Sequence, residues 1–194
     1  VQRVEEKERK RNPAAPFTTS TLQQEASRKL GFTTRRTMTV AQQLYEGIDL
    51  GGETVGLISY MRTDSVSLAN EAVAELRELI AKRFGPQNVP ESPPVYRTKS
   101  KNAQEAHEAV RPTSAMRLPE DVRSYLSPDQ FKLYSLVWKR AVASQMIHAT
   151  INTVAVDLLC GSEGEGVFRA NGSTVAVPGS VSYTHLTLPT IYSV

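Results

Sequence analysis

Tyr60 and Arg62 stand two positions apart in the stretch Gly56-Leu57-Ile58-Ser59-Tyr60-Met61-Arg62-Thr63-Asp64-Ser65. In an extended chain successive side chains point to opposite faces. This spacing therefore puts a phenol and a guanidinium on one face, with Met61 and Thr63 on the other. A tyrosine hydroxyl titrates near ~10 and attacks poorly at neutral pH, and a neighbouring cation favours its phenolate. Arg62 supplies that charge and can also fork two donors onto a phosphate. The chemistry open to the pair is attack on a phosphodiester to give a phosphotyrosine ester. Spacing alone leaves the commoner reading open as well, with Tyr60 an amphipathic residue at the core edge and Arg62 a solvated one.

The elements that must hold this pair can be read on both sides of it. Val55, Leu57 and Ile58 give the stretch a β-prone apolar start, so a short buried strand is expected to deliver Tyr60 to its exposed end. A loop over residues 48–54, with Gly51-Gly52, leads into it; no Gly-x-x-x-x-Gly-Lys pattern marks it as a nucleotide loop. Upstream, Ser20 with Gln23 has capping-box spacing, Leu22, Ala26 and Leu30 form one helical stripe, and Gly31 is placed to end the helix. A second helix is expected from Thr39, with Val40 and Leu44 on one face and Gly47 closing it. Downstream, Ala72, Val73, Leu76, Leu79, Ile80 and Phe84 predict an amphipathic helix stopped by Gly85-Pro86. A proline-rich surface loop follows over 86–101, then a short helix over 102–110 with His107 off its packing face. Ser127-Pro128 starts a long helix whose stripe runs Phe131, Tyr134, Val137, Trp138, Ala141, Val142. From Thr150 the period becomes two, and Asn171-Gly172 between β-prone runs predicts a hairpin turn.

Composition narrows the class. The 194 residues are 40% hydrophobic and 22% charged, enough for one or two cores. No apolar run approaches the ~18 residues of a membrane span. Cys160 is the single cysteine, and no Cys/His cluster suggests a zinc site in this chain. A net charge of +3 is too mild to argue for nucleic acid by itself. Its distribution says more: Arg28, Lys29, Arg35 and Arg36 share a window without acids, and Arg97, Lys99 and Lys101 form a second. Either could follow a phosphate backbone or simply be a solvated face. The start at Val1, inside a mixed-charge run, is expected for a piece of a longer protein.

Three segments together resemble one family. The Tyr60 stretch is similar to the active-site tyrosine segment of type IA DNA topoisomerases, the bacterial topoisomerase I group. Pro16-Phe17-Thr18-Thr19-Ser20-Thr21-Leu22-Gln23-Gln24-Glu25-Ala26 resembles the family's upstream segment. Gln104-Glu105-Ala106-His107-Glu108-Ala109-Val110-Arg111-Pro112-Thr113 resembles its downstream one. The order is the family's, and the likeness covers about residues 1–180.

The resemblance implies an α+β fold: a mostly helical tyrosine-bearing domain over 17–148, inserted into a β-rich arch to which 1–16 and 149–180 contribute. Residues 181–194 are uncharged and are expected to be a non-native tail. The implied activity is ATP-independent cleavage of one DNA strand, passage of another and religation through a 5′-phosphotyrosine, relaxing negatively supercoiled DNA. By motif match Tyr60 is the nucleophile, Arg62 the phosphate clamp, and His107, Arg111 and Ser59 phosphate contacts. Ser59 stands where many members carry Thr. Magnesium is expected in the full-length enzyme, held by acids in a domain outside this sequence, since no Asp-x-Asp-x-Glu pattern occurs here. The fragment alone is therefore expected to be inactive. A monomer acting on single-stranded and negatively supercoiled DNA in the cytoplasm, at the nucleoid and away from membranes, completes the expectation. Two alternatives stay open: a non-catalytic single-stranded DNA-binding arm, or the tyrosine-domain part of a reverse gyrase.

Overall fold

Thr18 turns an extended stretch into a helix. Its hydroxyl accepts the Thr21 N–H at 3.3 Å while the Thr21 hydroxyl accepts the Thr18 N–H at 2.9 Å, a reciprocal capping box. The computed structural model, which describes residues 1–96, 108–161 and 166–184, thus begins helix α1 at Thr19 and runs it to Leu30. The box expected at Ser20 and Gln23 is displaced toward the N-terminus. Gly31 closes α1 with φ 68°, in the left-handed region. Helix α2, Thr34–Glu46, starts earlier than the expected Thr39 because Thr33 caps it, its hydroxyl taking the Arg36 N–H at 3.2 Å. Its buried side is Thr37, Val40, Ala41 and Leu44. The loop expected over 48–54 is a small hairpin of strands β2, Ile48–Asp49, and β3, Thr54–Val55. The Asp49 carboxylate accepts the Gly51 and Gly52 N–H groups in its turn, which holds that carboxyl below its ordinary range.

Helix α3, Asn70–Phe84, buries Ala72, Leu76, Leu79 and Ile80. Helix α4, Pro128–Ser144, has the Ser127–Gln130 capping box and buries Leu133, Tyr134, Val137, Trp138, Ala141 and Val142. Its aromatic stripe is core, with both polar handles satisfied: Trp138 Nε1 donates to the Ala115 carbonyl at 2.8 Å and the Tyr134 hydroxyl to that of Arg117 at 2.7 Å. Burial pushes the Tyr134 phenol well above its usual range. The short helix expected over 102–110 mostly lies outside the described residues. At its end Val110 is not helical; it forms an antiparallel bridge with Phe17.

The chain divides into two compact units, Ala14–Met146 and a second made of Val1–Pro13 with Ile147–Val194. Among the described residues, the regular elements of the first are the helices α1–α4, short 3-10 turns and the β2–β3 hairpin. The second is an antiparallel sheet in the order β1, β4, β5, from Arg3–Arg11, Ala149–Cys160 and Gly166–Val177. Helices and strands are segregated, an α+β arrangement. Asn171-Gly172 is not the hairpin turn that its dipeptide suggests. It sits in mid-strand, paired with Ala155 and Val154, and neither residue has the positive φ that a type I′ turn demands.

Helix α5, Val181–Thr184, lies at the start of the segment expected to be a tail. Gly179 makes a tight turn at φ 43°, where a Cβ would meet the His148 carbonyl oxygen at 2.5 Å. Beyond it the Ser180 N–H donates to the Ile147 carbonyl at 3.0 Å, and Ser180 and Val181 are both buried. The boundary after residue 180 therefore cuts into packed structure. Truncation after Gly179 should lower the melting temperature by roughly 3–12 °C relative to truncation after Thr184, the value of one buried valine. Equal melting of the two shortened chains by differential scanning calorimetry would show that Val181 adds nothing.

Candidate active site

Tyr60 lies on a segment that is extended but not a regular strand. β3 ends at Val55, and beyond it Ile58 makes one isolated bridge, to Pro112. What holds the segment is a set of bonds to three separate parts of the unit. From α2, the Leu44 carbonyl accepts the Leu57 N–H at 2.7 Å. From the 109–113 stretch, the Arg111 carbonyl accepts the Ser59 N–H at 2.8 Å, and the Thr113 N–H donates to the Leu57 carbonyl at 3.0 Å. From the start of α1, the Thr19 hydroxyl is 2.7 Å from the Met61 carbonyl oxygen and accepts the Thr63 N–H at 2.8 Å. The three motifs of the sequence thus meet around Tyr60. Leu57, Ile58 and Met61 are fully buried, which leaves Tyr60 46% exposed at the surface.

The Tyr60 ring meets the Tyr45 ring edge-on, with centroids 5.3 Å apart and planes at 65°. Its hydroxyl has no hydrogen-bond partner among the described residues. Arg62 is exposed beyond buried Met61 and lines a shallow hollow with Thr19, Ser20, Thr63 and Asp64. It forms no ion pair among the described residues. The guanidinium and the phenol hydroxyl are both available to a ligand.

Ser59 and Arg111, expected to contact phosphate, both make internal bonds. The Ser59 hydroxyl donates to the Ala109 carbonyl at 2.8 Å and accepts the Arg111 N–H at 3.0 Å, so it stitches two backbone segments together. The Arg111 side chain is 18% exposed, and its Nε and Nη2 each sit 2.8 Å from Glu108 Oε2 while Nη1 donates to the Pro112 carbonyl at 3.0 Å. Its charge is already answered by a carboxylate. Glu108 Oε1 also accepts the Ala69 N–H at 2.9 Å, tying this stretch to the residue before α3. His107, with Arg97, Lys99 and Lys101, lies outside the described residues. Thr19, Tyr45 and Glu108 are site groups to which the sequence assigned no part. The first and last fall inside the matched motifs, whereas nothing in the residue pattern marks Tyr45. Among the described residues no group of three or more His, Cys, Asp or Glu side chains is placed to hold a metal.

A half-exposed tyrosine and an arginine with no ion pair among the described residues thus lie on one segment clamped from three sides. The chain belongs to the DNA topoisomerase family, whose model it matches over residues 1–187. It is 66% identical over 177 residues to DNA topoisomerase 1 of Xylella fastidiosa, covering 91% of this chain and 22% of that protein. It is 52% identical over 179 residues to DNA topoisomerase 1 of Rickettsia bellii, again 22% of that protein. The structure of full-length topoisomerase I from Thermotoga maritima matches with a TM-score of 0.84 at 37% identity, over 97% of this chain and 30% of that one. The chain thus spans about a fifth of the length of these curated relatives. No described helix is long and apolar enough to cross a membrane.

Proposed function

We propose that this chain is the nucleophile-bearing portion of a type I DNA topoisomerase that cuts one strand, lets another pass and reseals the first. Tyr60 Oη attacks a backbone phosphorus, the new Oη–P bond forms as the P–O3′ bond breaks, and the 5′ end stays on the enzyme as a phosphotyrosine ester. The phenol loses its proton and the departing 3′ oxygen gains one. In resealing, the 3′ hydroxyl attacks the ester and the phenolate leaves, so no ATP is required. Arg62 holds the phosphate and stabilises the charge that builds on it. Ser59, Thr19 and the Arg111–Glu108 pair position the Tyr60 segment. The magnesium expected for this chemistry would be held by acidic residues of the full-length enzyme. The helical unit Ala14–Met146 fits a tyrosine domain inserted into an arch, with the sheet unit as part of that arch.

The observation that carries the reading is a half-exposed Tyr60, its hydroxyl without a hydrogen-bond partner among the described residues, on a segment bonded at Leu57, Ser59, Met61 and Thr63. Its test uses a chimera in which this chain replaces the matching 177 residues of the Xylella fastidiosa relative. With magnesium the chimera relaxes negatively supercoiled plasmid on an agarose gel, and the isolated chain does not. A chimera that folds and binds DNA without relaxing it would sink the proposal. Relaxation by the chain alone would show that it holds the whole site.

A further inference from the structure

Glu25 on α1 is buried, at 7% exposure, and three cations converge on it. Arg28 pairs with its Oε1; Lys29 Nζ and Arg140 Nη2 lie 3.2 and 3.4 Å from its Oε2. One carboxylate therefore faces three positive side chains on two packed helices. Arg140 is fixed as well as part-buried: it donates to the Ala15 carbonyl at 3.3 Å and stacks 4.3 Å over the Phe17 ring. Burial, helped by the Arg28 charge, holds its guanidinium below the usual range. By contrast Arg28 is 74% exposed. Ion pairs made by such exposed side chains are weak and exchange readily with solvent or a ligand.

The position of this cluster connects it to the tyrosine. Phe17, under the Arg140 guanidinium, has a carbonyl that accepts the Val110 N–H at 2.8 Å, two residues from the Arg111–Glu108 pair. Thr19, at the other side of the α1 start, grips the Met61–Thr63 backbone. At ~1.5 Å per helical residue, Arg28 lies about 14 Å along α1 from Thr19. A strand whose phosphate reaches Tyr60 and Arg62 can continue along this helix.

Resting on the strand-cleavage reading above, we propose that Arg28, Lys29 and Arg140 around Glu25 form a second phosphate site, which holds the single-stranded DNA backbone away from the scissile bond. Arg140 is the fixed anchor, and Arg28 and Lys29 swing from Glu25 onto successive phosphates. Glu25 sets the strength of the site, keeping the arginines in place without DNA and competing for them with it.

The test is binding of a fluorescein-labelled oligothymidine to the chain, followed by anisotropy across salt concentrations. Losing two phosphate contacts on a single strand should flatten the slope of log affinity against log salt by about 1.4. The defect of Arg28→Ala/Lys29→Ala should therefore shrink roughly sevenfold between about 50 and 200 mM salt. Glu25→Gln should act in the opposite direction and tighten binding, because it removes the charge of a carboxylate that pairs with all three cations. If Glu25→Gln fails to fold, the double alanine variant decides by itself, since both its side chains are at the surface. An unchanged salt slope in the double variant, or weaker binding by folded Glu25→Gln, overturns the site. Covalent capture by the unsubstituted chimera, assayed in parallel, reports separately on the Tyr60 reading, so either idea can fail without the other.

Discussion

Tyr60→Phe in the chimera abolishes covalent capture of a single-stranded oligonucleotide and leaves its non-covalent binding in place. The substitution removes the one atom that forms the ester and nothing the fold uses, since the Tyr60 hydroxyl has no partner among the described residues. The ring stays, and with it the edge contact to Tyr45 at 5.3 Å. Stability should change by less than about 1 kcal/mol, as for surface substitutions that break no bond. Capture is read as a band shifted by the attached oligonucleotide on a denaturing gel, and binding by anisotropy. An adduct that survives Tyr60→Phe puts the nucleophile elsewhere. Loss of the fold makes Tyr60 a packing residue, the plainer role that its spacing leaves open.

What could be read from the sequence was what a few adjacent residues encode by themselves. Gly31, Gly47 and Gly85 do follow the helices they were expected to close, and Ser127-Pro128 does start α4. Helix starts in the threonine-rich stretch were less legible. Thr18, Thr19, Ser20 and Thr21 can all cap, and the choice fell to Thr18 in a structure where Thr19 is occupied by Met61 and Thr63, more than forty residues away in the chain. Asn171-Gly172 misled for a related reason. Its turn chemistry is local, but a paired β4 strand holds both residues in a ladder. At the site, the Tyr60 and Arg62 side chains were legible because alternation about a buried Met61 exposes both. The internal bonding of Ser59 and Arg111 was not, because their partners Ala109 and Glu108 approach only once the segments are folded together.

That clamp leads to the second large effect, expected from Gly56→Ala. Gly56 has no positive φ, so alanine suits its backbone and the whole cost falls on the added Cβ. That atom would lie 2.7 Å from the Tyr45 carbonyl oxygen, where ordinary contact begins at 3.4 Å, so something must move by about 0.7 Å. A backbone carbonyl at the end of α2 cannot rotate away as a side chain could. The Gly56 segment is tied on both sides: its carbonyl accepts the Thr113 hydroxyl at 2.7 Å, and the Leu57 N–H is held by Leu44. The displacement therefore passes along the segment toward Ser59 and Tyr60 and widens the gap between the Tyr45 and Tyr60 rings. Overpacking of this kind costs about 1–3 kcal/mol, and a misplacement approaching 1 Å at a reacting atom can slow the reaction by about 100-fold. Capture at saturating oligonucleotide should fall by about that factor, with binding little changed. Gly172→Ala is the control, because its Cβ would meet nothing within 4 Å. Should Gly56→Ala capture DNA at the unsubstituted rate, the packing of α2 against this segment does not set the position of Tyr60.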